Sequence, residues 1–338
     1  MCKISCRCAR ITSFYQQAIA EKTMKSSVVV AVSMFSTALA VCGLVILSGV
    51  GRRKCEEAVE RRRKRAHSVQ NPFHRIVEIC VSDFVSAKEA VEGGASSLEL
   101  CSNRMEGGTT PSIGLIEQCV DLAKGTNVVL QVLIRPRPGD FNYTNEEFEI
   151  IQRDIIAARM TGADGIVCGI LTPDGKVDMP RMAIVRKLSE GMMLTFHRAF
   201  DICSDMELAL DSIIMCNCDR LLTSGQSTSV VDAVENGKLE EIIKHTQGMV
   251  HVIAGAGVTI ENVHKIVSKS FVAAVHAGSA VTSPRSCYTC DSYVDTVNLV
   301  SGNSCIAPEM VSYMCVHSDL VRQLVENADK AWNELHMA

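Results

Sequence analysis

From residue 75 onward the chain alternates short apolar runs with longer amphipathic stretches. Eight runs have the length and β-branched content of strands: Arg75–Val81, Ser97–Cys101, Val128–Ile134, Gly165–Gly169, Met192–His197, Asp219–Thr223, Met249–Ala254 and Val272–Ala277. Between and after them apolar residues recur at helical spacing, which predicts helices over Ser86–Glu92, Ile113–Ala123, Asn145–Met160, Met179–Leu188, Met206–Met215, Val231–Thr246, Ile260–Ser268 and Asp319–Leu335. Gly93-Gly94-Ala95 and Gly162-Ala163-Asp164 stand where a helix has to end and the next strand begin, a position that favours glycine. This repeated unit predicts an α/β fold in which eight parallel strands close into a (βα)8 TIM barrel, with a doubly wound open sheet as the alternative. Such a barrel places its chemistry at the C-terminal ends of the strands and in the loops that follow.

Before residue 75 the pattern changes. Residues 26–51 carry no charge, and at about 1.5 Å per residue a helix of that length spans a bilayer core of roughly 30 Å. Arg52-Arg53-Lys54 and Arg61-Arg62-Arg63-Lys64-Arg65 follow it, eight basic residues against five before it, and this bias predicts that the barrel faces the cytosol. The expected organisation is a leader over 1–25, a membrane anchor over 26–51, a basic linker over 52–72 and the barrel over 73–338. A cleaved signal or an organelle presequence is the competing reading of the leader, and a soluble cytoplasmic barrel follows if the segment is not retained.

Charge separates the same two parts. Residues 1–72 hold 13 of the 34 Lys and Arg and 4 of the 38 Asp and Glu, so residues 73–338 hold 21 basic and 34 acidic residues, a net −13. An acidic barrel argues against nucleic acid as a partner. The 16 cysteines are scattered, and in a reducing compartment free thiols are expected.

Strand parity then sorts the barrel residues. Val77, Ile79 and Val81 fit an outward face packed on helices, which turns Glu78 and Cys80 inward, and Glu99 and Cys101 likewise on the next strand. The pattern apolar-Glu-apolar-Cys therefore occurs twice, on neighbouring strands. Parity also turns inward Gln131, Arg135, Thr195, His197, Ser224, His251 and His276. A purely structural interior would be Val, Ile and Leu, so Arg135, His197 and His276 beside carboxylates imply pairing or use. His197 is the candidate for proton transfer, and Glu78 and Glu99 either assist as acid or base or form ion pairs with Arg135 or Arg137. Each thiol alone is equally read as a small core hydrophobe. Gly255 and Gly257 after the seventh strand, with Gly278 and Ser279 after the eighth, occupy the usual phosphate site of TIM barrels, although glycine there also serves tight turns. Cys287-Tyr288-Thr289-Cys290 has CxxC spacing without a second pair and reads as a loop.

With those residues in place, the stretches VEICVSDFVSAKEAVEGGASSLELCS, EGGTTPSIG (Glu106–Gly114), IRPRPGDFNYTNEE (Ile134–Glu147), TFHRAFD (Thr195–Asp201) and LLTSG (Leu221–Gly225) resemble the CutC family of copper homeostasis proteins, over nearly all of residues 74 to 335. The resemblance implies a TIM barrel that assembles as a homo-oligomer and handles copper, with Cu(I) held by two cysteines that fall on Cys80 and Cys101. The chain departs from the family in its apolar leader, in Gly255-Ala256-Gly257 where the family has three glycines, and after His276.

Two functions follow as expectations. One is a copper-binding protein that buffers or passes Cu(I) through Cys80 and Cys101. The other is an enzyme acting on a small anionic or phosphorylated substrate at the mouth, with Arg135 holding the anion, His197 transferring a proton and Glu78 or Glu99 assisting as a second acid or base.

Overall fold

The computed structural model describes residues 75–285 and 313–337. The expected anchor over 26–51 and the CxxC at Cys287 and Cys290 lie outside the described residues. Among the described residues no helix is long and apolar enough to cross a membrane.

Eight strands, β1 (Ile76–Val81), β2 (Ser97–Leu100), β3 (Val129–Leu133), β4 (Gly165–Val167), β5 (Met193–Phe196), β6 (Arg220–Thr223), β7 (His251–Ala254) and β8 (Ala274–Ala277), form a closed parallel barrel in chain order. The open sheet is thereby excluded. Closure pairs the last strand with the first, setting Glu78 opposite His276, while on the other side Cys80 lies opposite Glu99.

The helices are α1 (Phe84–Glu92), α2 (Ile113–Ala123), α3 (Asn145–Thr161), α4 (Met179–Leu188), α5 (Met206–Met215), α6 (Val230–Glu235), α7 (Lys238–Thr246), α8 (Val263–Ser270) and α9 (Ser318–Met337). Their starts are chemically marked. Asp83, Ser112, Asp178, Asp205 and Ser229 each accept a backbone N–H of the first turn, and Thr144 with Glu147 forms a reciprocal capping box on α3. α3 ends at Gly162, whose φ of +94° lets the chain turn back into β4 as the glycine pattern predicts. One predicted helix, Val231–Thr246, is two: Gly237, at φ +80°, breaks it between α6 and α7. The sequence reading also lacks an antiparallel hairpin of β9 (Thr282–Arg285) and β10 (Tyr313–Val316), which precedes α9.

Val77, Ile79, Val81, Leu98, Leu100, Leu130 and Val132 pack outward in one core with the helices. Inside, Ile76, Leu222, Ile253 and Ala274 make a small apolar cluster. Beside it lies a polar belt that is fully buried: Glu78, Ser97, Gln131, Thr195 and Arg220. Polar groups so placed require partners, and these partners shape the mouth above.

Candidate functional site

A cavity of about 330 Å³ opens among the C-terminal ends of the strands, and its wall includes Cys80, Cys101, Glu99, Arg135, His197 and His276. Gly257, Gly278 and Ser279 line it as well. Glu78 is 1% exposed and sits beneath this lining, where Arg220 and His276 hold it. Gly255 forms part of the supporting wall: a Cβ there would lie 2.6 Å from Leu222 Cδ1.

On the β1, β2 and β8 side, the Sγ atoms of Cys80 and Cys101 are 3.6 Å apart, and both cysteines are free thiols. Cys101 follows β2 directly, and its N–H donates to Val81 O, which brings it beside the upper end of β1. One Cys80 Sγ, one Glu99 oxygen and one His276 ring nitrogen lie within 4.8 Å of one another. His276 Nδ1 is 3.1 Å from Glu78 Oε1, and His276 Nε2 is 3.5 Å from Glu99 Oε2. Below them the Arg220 guanidinium reaches Glu78 Oε2 at 3.2 Å, and Ser97 Oγ donates to the same oxygen at 2.7 Å.

This network sets the charges. Burial opposes ionisation of Glu78, but His276, Arg220 and Ser97 outweigh it and hold the carboxyl below its ordinary range. Burial also works against a charged His276, yet Glu99, Cys80 and Glu78 raise its pKa well above 6.5. Glu99 is raised by burial and by Glu78, with His276 acting against them. The Cys80 thiol is pushed far up by its bond to Cys101 and by burial.

The donor set suits a soft ion. Two thiols and an imidazole favour Cu(I) or Zn(II) over Mg(II) or Ca(II). With metal–sulfur bonds of about 2.3 Å, as for zinc, two sulfurs 3.6 Å apart subtend roughly 100° at the ion. That bent angle accommodates a third ligand; the donors that lie within 4.8 Å of one another are those of Cys80, Glu99 and His276, a group without Cys101, so His276 would join the pair from the Cys80 side. Glu78 on the other ring nitrogen would orient the imidazole toward an ion held there.

The β3 and β5 side is built differently. Arg135 Nη1 donates to Gly108 O at 2.8 Å and Glu106 O at 3.2 Å, and Nη2 to Gly139 O at 2.7 Å. His197 Nδ1 accepts the Ala199 N–H at 3.2 Å, so the ring proton belongs on Nε2. Phe141 covers this ring with centroids 4.7 Å apart. Gly169 admits it, since a Cβ there would lie 2.7 Å from His197 Cε1. Burial and the adjacent Arg135 charge lower the His197 pKa to about 3, so the imidazole is neutral at physiological pH.

A profile of the CutC family matches residues 75–281, the whole eight-stranded barrel up to the turn after β8. The chain belongs to the CutC family. It is 39% identical over 210 residues to the family protein CutC of Vibrio campbellii, covering 62% of this chain and 83% of that one. To the family protein CutC of Bacteroides thetaiotaomicron it is 42% identical over 199 residues, 59% of this chain and 78% of the relative. The crystal structure of a candidate copper homeostasis protein, CutC from Streptococcus agalactiae, superposes with a TM-score of 0.57 at 28% identity, over 60% of this chain and 98% of that chain.

Two features of this CutC barrel correct the sequence reading. Glu78 and Glu99 do not pair with Arg135 or Arg137: their partners are Arg220 and His276, while Arg137 pairs with Glu147 and Asp140 in the loop after β3. Arg135 and Arg137 stand too late on their strand to reach the belt. Arg220 went unnoticed although it is the largest fully buried side chain of the barrel. The parity that turns Ser224 and Leu222 inward also turns Arg220 inward, and that signal was available.

Proposed function

We propose that this chain handles Cu(I) within copper homeostasis, binding the ion between Cys80 and Cys101 with His276 as third ligand. The observation that carries this reading is the 3.6 Å approach of two free thiols on the wall of the mouth cavity. Family membership supports it, because a relative of known structure is named as a candidate copper homeostasis protein. Glu78 orients the His276 ring from behind, and Arg220 fixes Glu78. Cu(I) entering the site displaces the thiol protons and the proton of His276, so affinity falls as pH falls.

The test is an anaerobic titration of the full chain with Cu(I) against a chromophoric chelator. One copper per chain is expected, and Cys80→Ala and Cys101→Ala each weaken it by more than about 100-fold, beyond the 10–100-fold typical of outer-shell changes. Glu78→Gln, which loosens His276, falls inside that smaller range. Wild type failing to compete, or both cysteine variants binding as well as wild type, makes the pair core packing. Retention of Zn(II) in preference to Cu(I) assigns the site to the wrong metal. As part of the same proposal, residues 26–51 tether the barrel to a membrane with the mouth in the cytosol, and the barrel over 73–338 assembles as a homo-oligomer. Carbonate-resistant sedimentation with membranes, and light scattering of the detergent-solubilised protein, test those two statements.

A further inference from the structure

We propose that the β3 and β5 side of the mouth is a second, separate ligand site, which binds a small oxyanion, a phosphate or carboxylate group, between Arg135 and His197. Arg135 and His197 are each 5% exposed, and both line the cavity. Arg135 Nε and His197 Nε2 are buried and make no hydrogen bond of normal geometry among the described residues, although the buried Tyr143 hydroxyl lies against the Arg135 side chain. A buried N–H without an acceptor is costly, and two of them on one cavity wall are donors held for an acceptor from outside the chain.

Charge selects the acceptor. No carboxylate of the described residues pairs with Arg135: its bonds go to the carbonyls of Glu106, Gly108 and Gly139, which fix the guanidinium without neutralising it. Phe141 stacks on the same guanidinium at 5.0 Å and on the His197 ring, so both donors share one aromatic support. Arg104 lines the cavity too, and its Nη1 is likewise buried without a partner. Glu99, the carboxylate of the cavity wall, is engaged with His276. A ligand at Arg135 therefore accepts several N–H bonds and carries negative charge, which an oxyanion does in fork geometry. A volume of about 330 Å³ is at the small end for ligand cavities, which limits the occupant to a small metabolite or its anionic group.

This site does not depend on copper. Gly108 separates the two: its carbonyl accepts from Arg135, while a Cβ on it would lie 3.5 Å from Cys101 Cβ. The same cavity can thus serve a soft cation on one wall and a hard anion on the other.

Calorimetric titration of the full chain with inorganic phosphate, and separately with malonate, distinguishes the two sources of the anionic group. One-to-one saturable binding of at least one probe is expected, weakened about tenfold or more by Arg135→Met. His197→Phe weakens it by a similar factor, while His197→Gln, which keeps an N–H donor, retains more affinity than His197→Phe. If Arg135→Met does not fold by circular dichroism, the Phe and Gln variants of His197 decide alone. The proposal is overturned if neither probe binds saturably, if folded Arg135→Met binds as tightly as wild type, or if the Gln and Phe variants are indistinguishable.

Discussion

On the β1, β2 and β8 wall of the mouth, Glu78, Glu99 and His276 each lie within 3.5 Å of an opposite charge, whereas on the β3 and β5 wall Arg135 is held by carbonyls and the Phe141 ring, with no carboxylate of the described residues on it. The two histidines register the contrast. His276, between two carboxylates, is driven toward the protonated form, and His197, beside Arg135, toward the neutral form. His197 is buried and His276 largely so, and desolvation lowers the pKa of both, so burial alone does not decide protonation; the sign of the neighbouring charge does. The first wall is closed on itself and rigid, and its sulfur atoms are what it offers. The second is braced by backbone and offers N–H groups.

The comparison breaks most severely at the belt beneath the first wall. Glu78→Ala leaves Arg220 buried without its counter-charge, and the expected loss is about 3–5 kcal/mol of stability, read from urea unfolding followed by circular dichroism. An unchanged midpoint would mean that Arg220 finds another partner and that the network is not a support.

A smaller effect sharpens the second wall. The His197 pKa is about 3 in the folded chain against about 6.5 unfolded, so the unfolded chain binds the extra proton first. Its contribution is complete above pH 6.5 and is lost as pH falls from there toward 3. His197→Gln should therefore flatten the acid limb of the stability profile by up to about 1.4 kcal/mol per pH unit. His276 acts with the opposite sign, since a raised pKa stabilises at low pH and that contribution disappears as pH rises through the folded value. If the His197→Gln limb runs parallel to wild type, the neutral buried imidazole is not what shapes it.

The smallest effect lies in the turn after β7. Ala256 adopts φ +69°, a left-handed conformation that strains an alanine, at a position where the family resemblance leads one to expect glycine. Ala256→Gly relieves that strain but loosens the unfolded chain, and the expected net gain is below about 1 kcal/mol by thermal unfolding. A loss of more than that would show the alanine methyl to be packed rather than strained.

Much of this was legible in the chain itself. Period-two alternation on Val77, Ile79, Leu98 and Leu100 identifies the outward faces, and the repeated Glu-apolar-Cys then has only the interior to face. What alternation does not contain is who meets whom across the barrel. Arg220 is 142 residues from Glu78 in the chain, and their contact is set by strand tilt and closure, which no local pattern encodes. Arg135 and Arg137 looked like the partners because they follow the strand that lies next to the motif, and parity turns Arg135 inward. The β9–β10 hairpin was missed for a related reason: its two strands are joined across residues 286–312, too far apart for a short turn to betray the pairing.

The two sulfurs and their imidazole also differ in when they come together. Cys80 and Cys101 are 21 residues apart on the first two strands, while His276 arrives 198 residues after Glu78 and docks only as the last strand closes on the first. His276 follows Cys101 by 175 residues, so at about 5–20 residues per second of synthesis a nascent chain displays the thiol pair for roughly 9–35 s before the histidine exists. The wall that carries the sulfurs is thus the first part of the barrel to emerge from the ribosome and the last to be completed, and a growing chain passes through that interval with both thiols exposed to whatever reacts with sulfur.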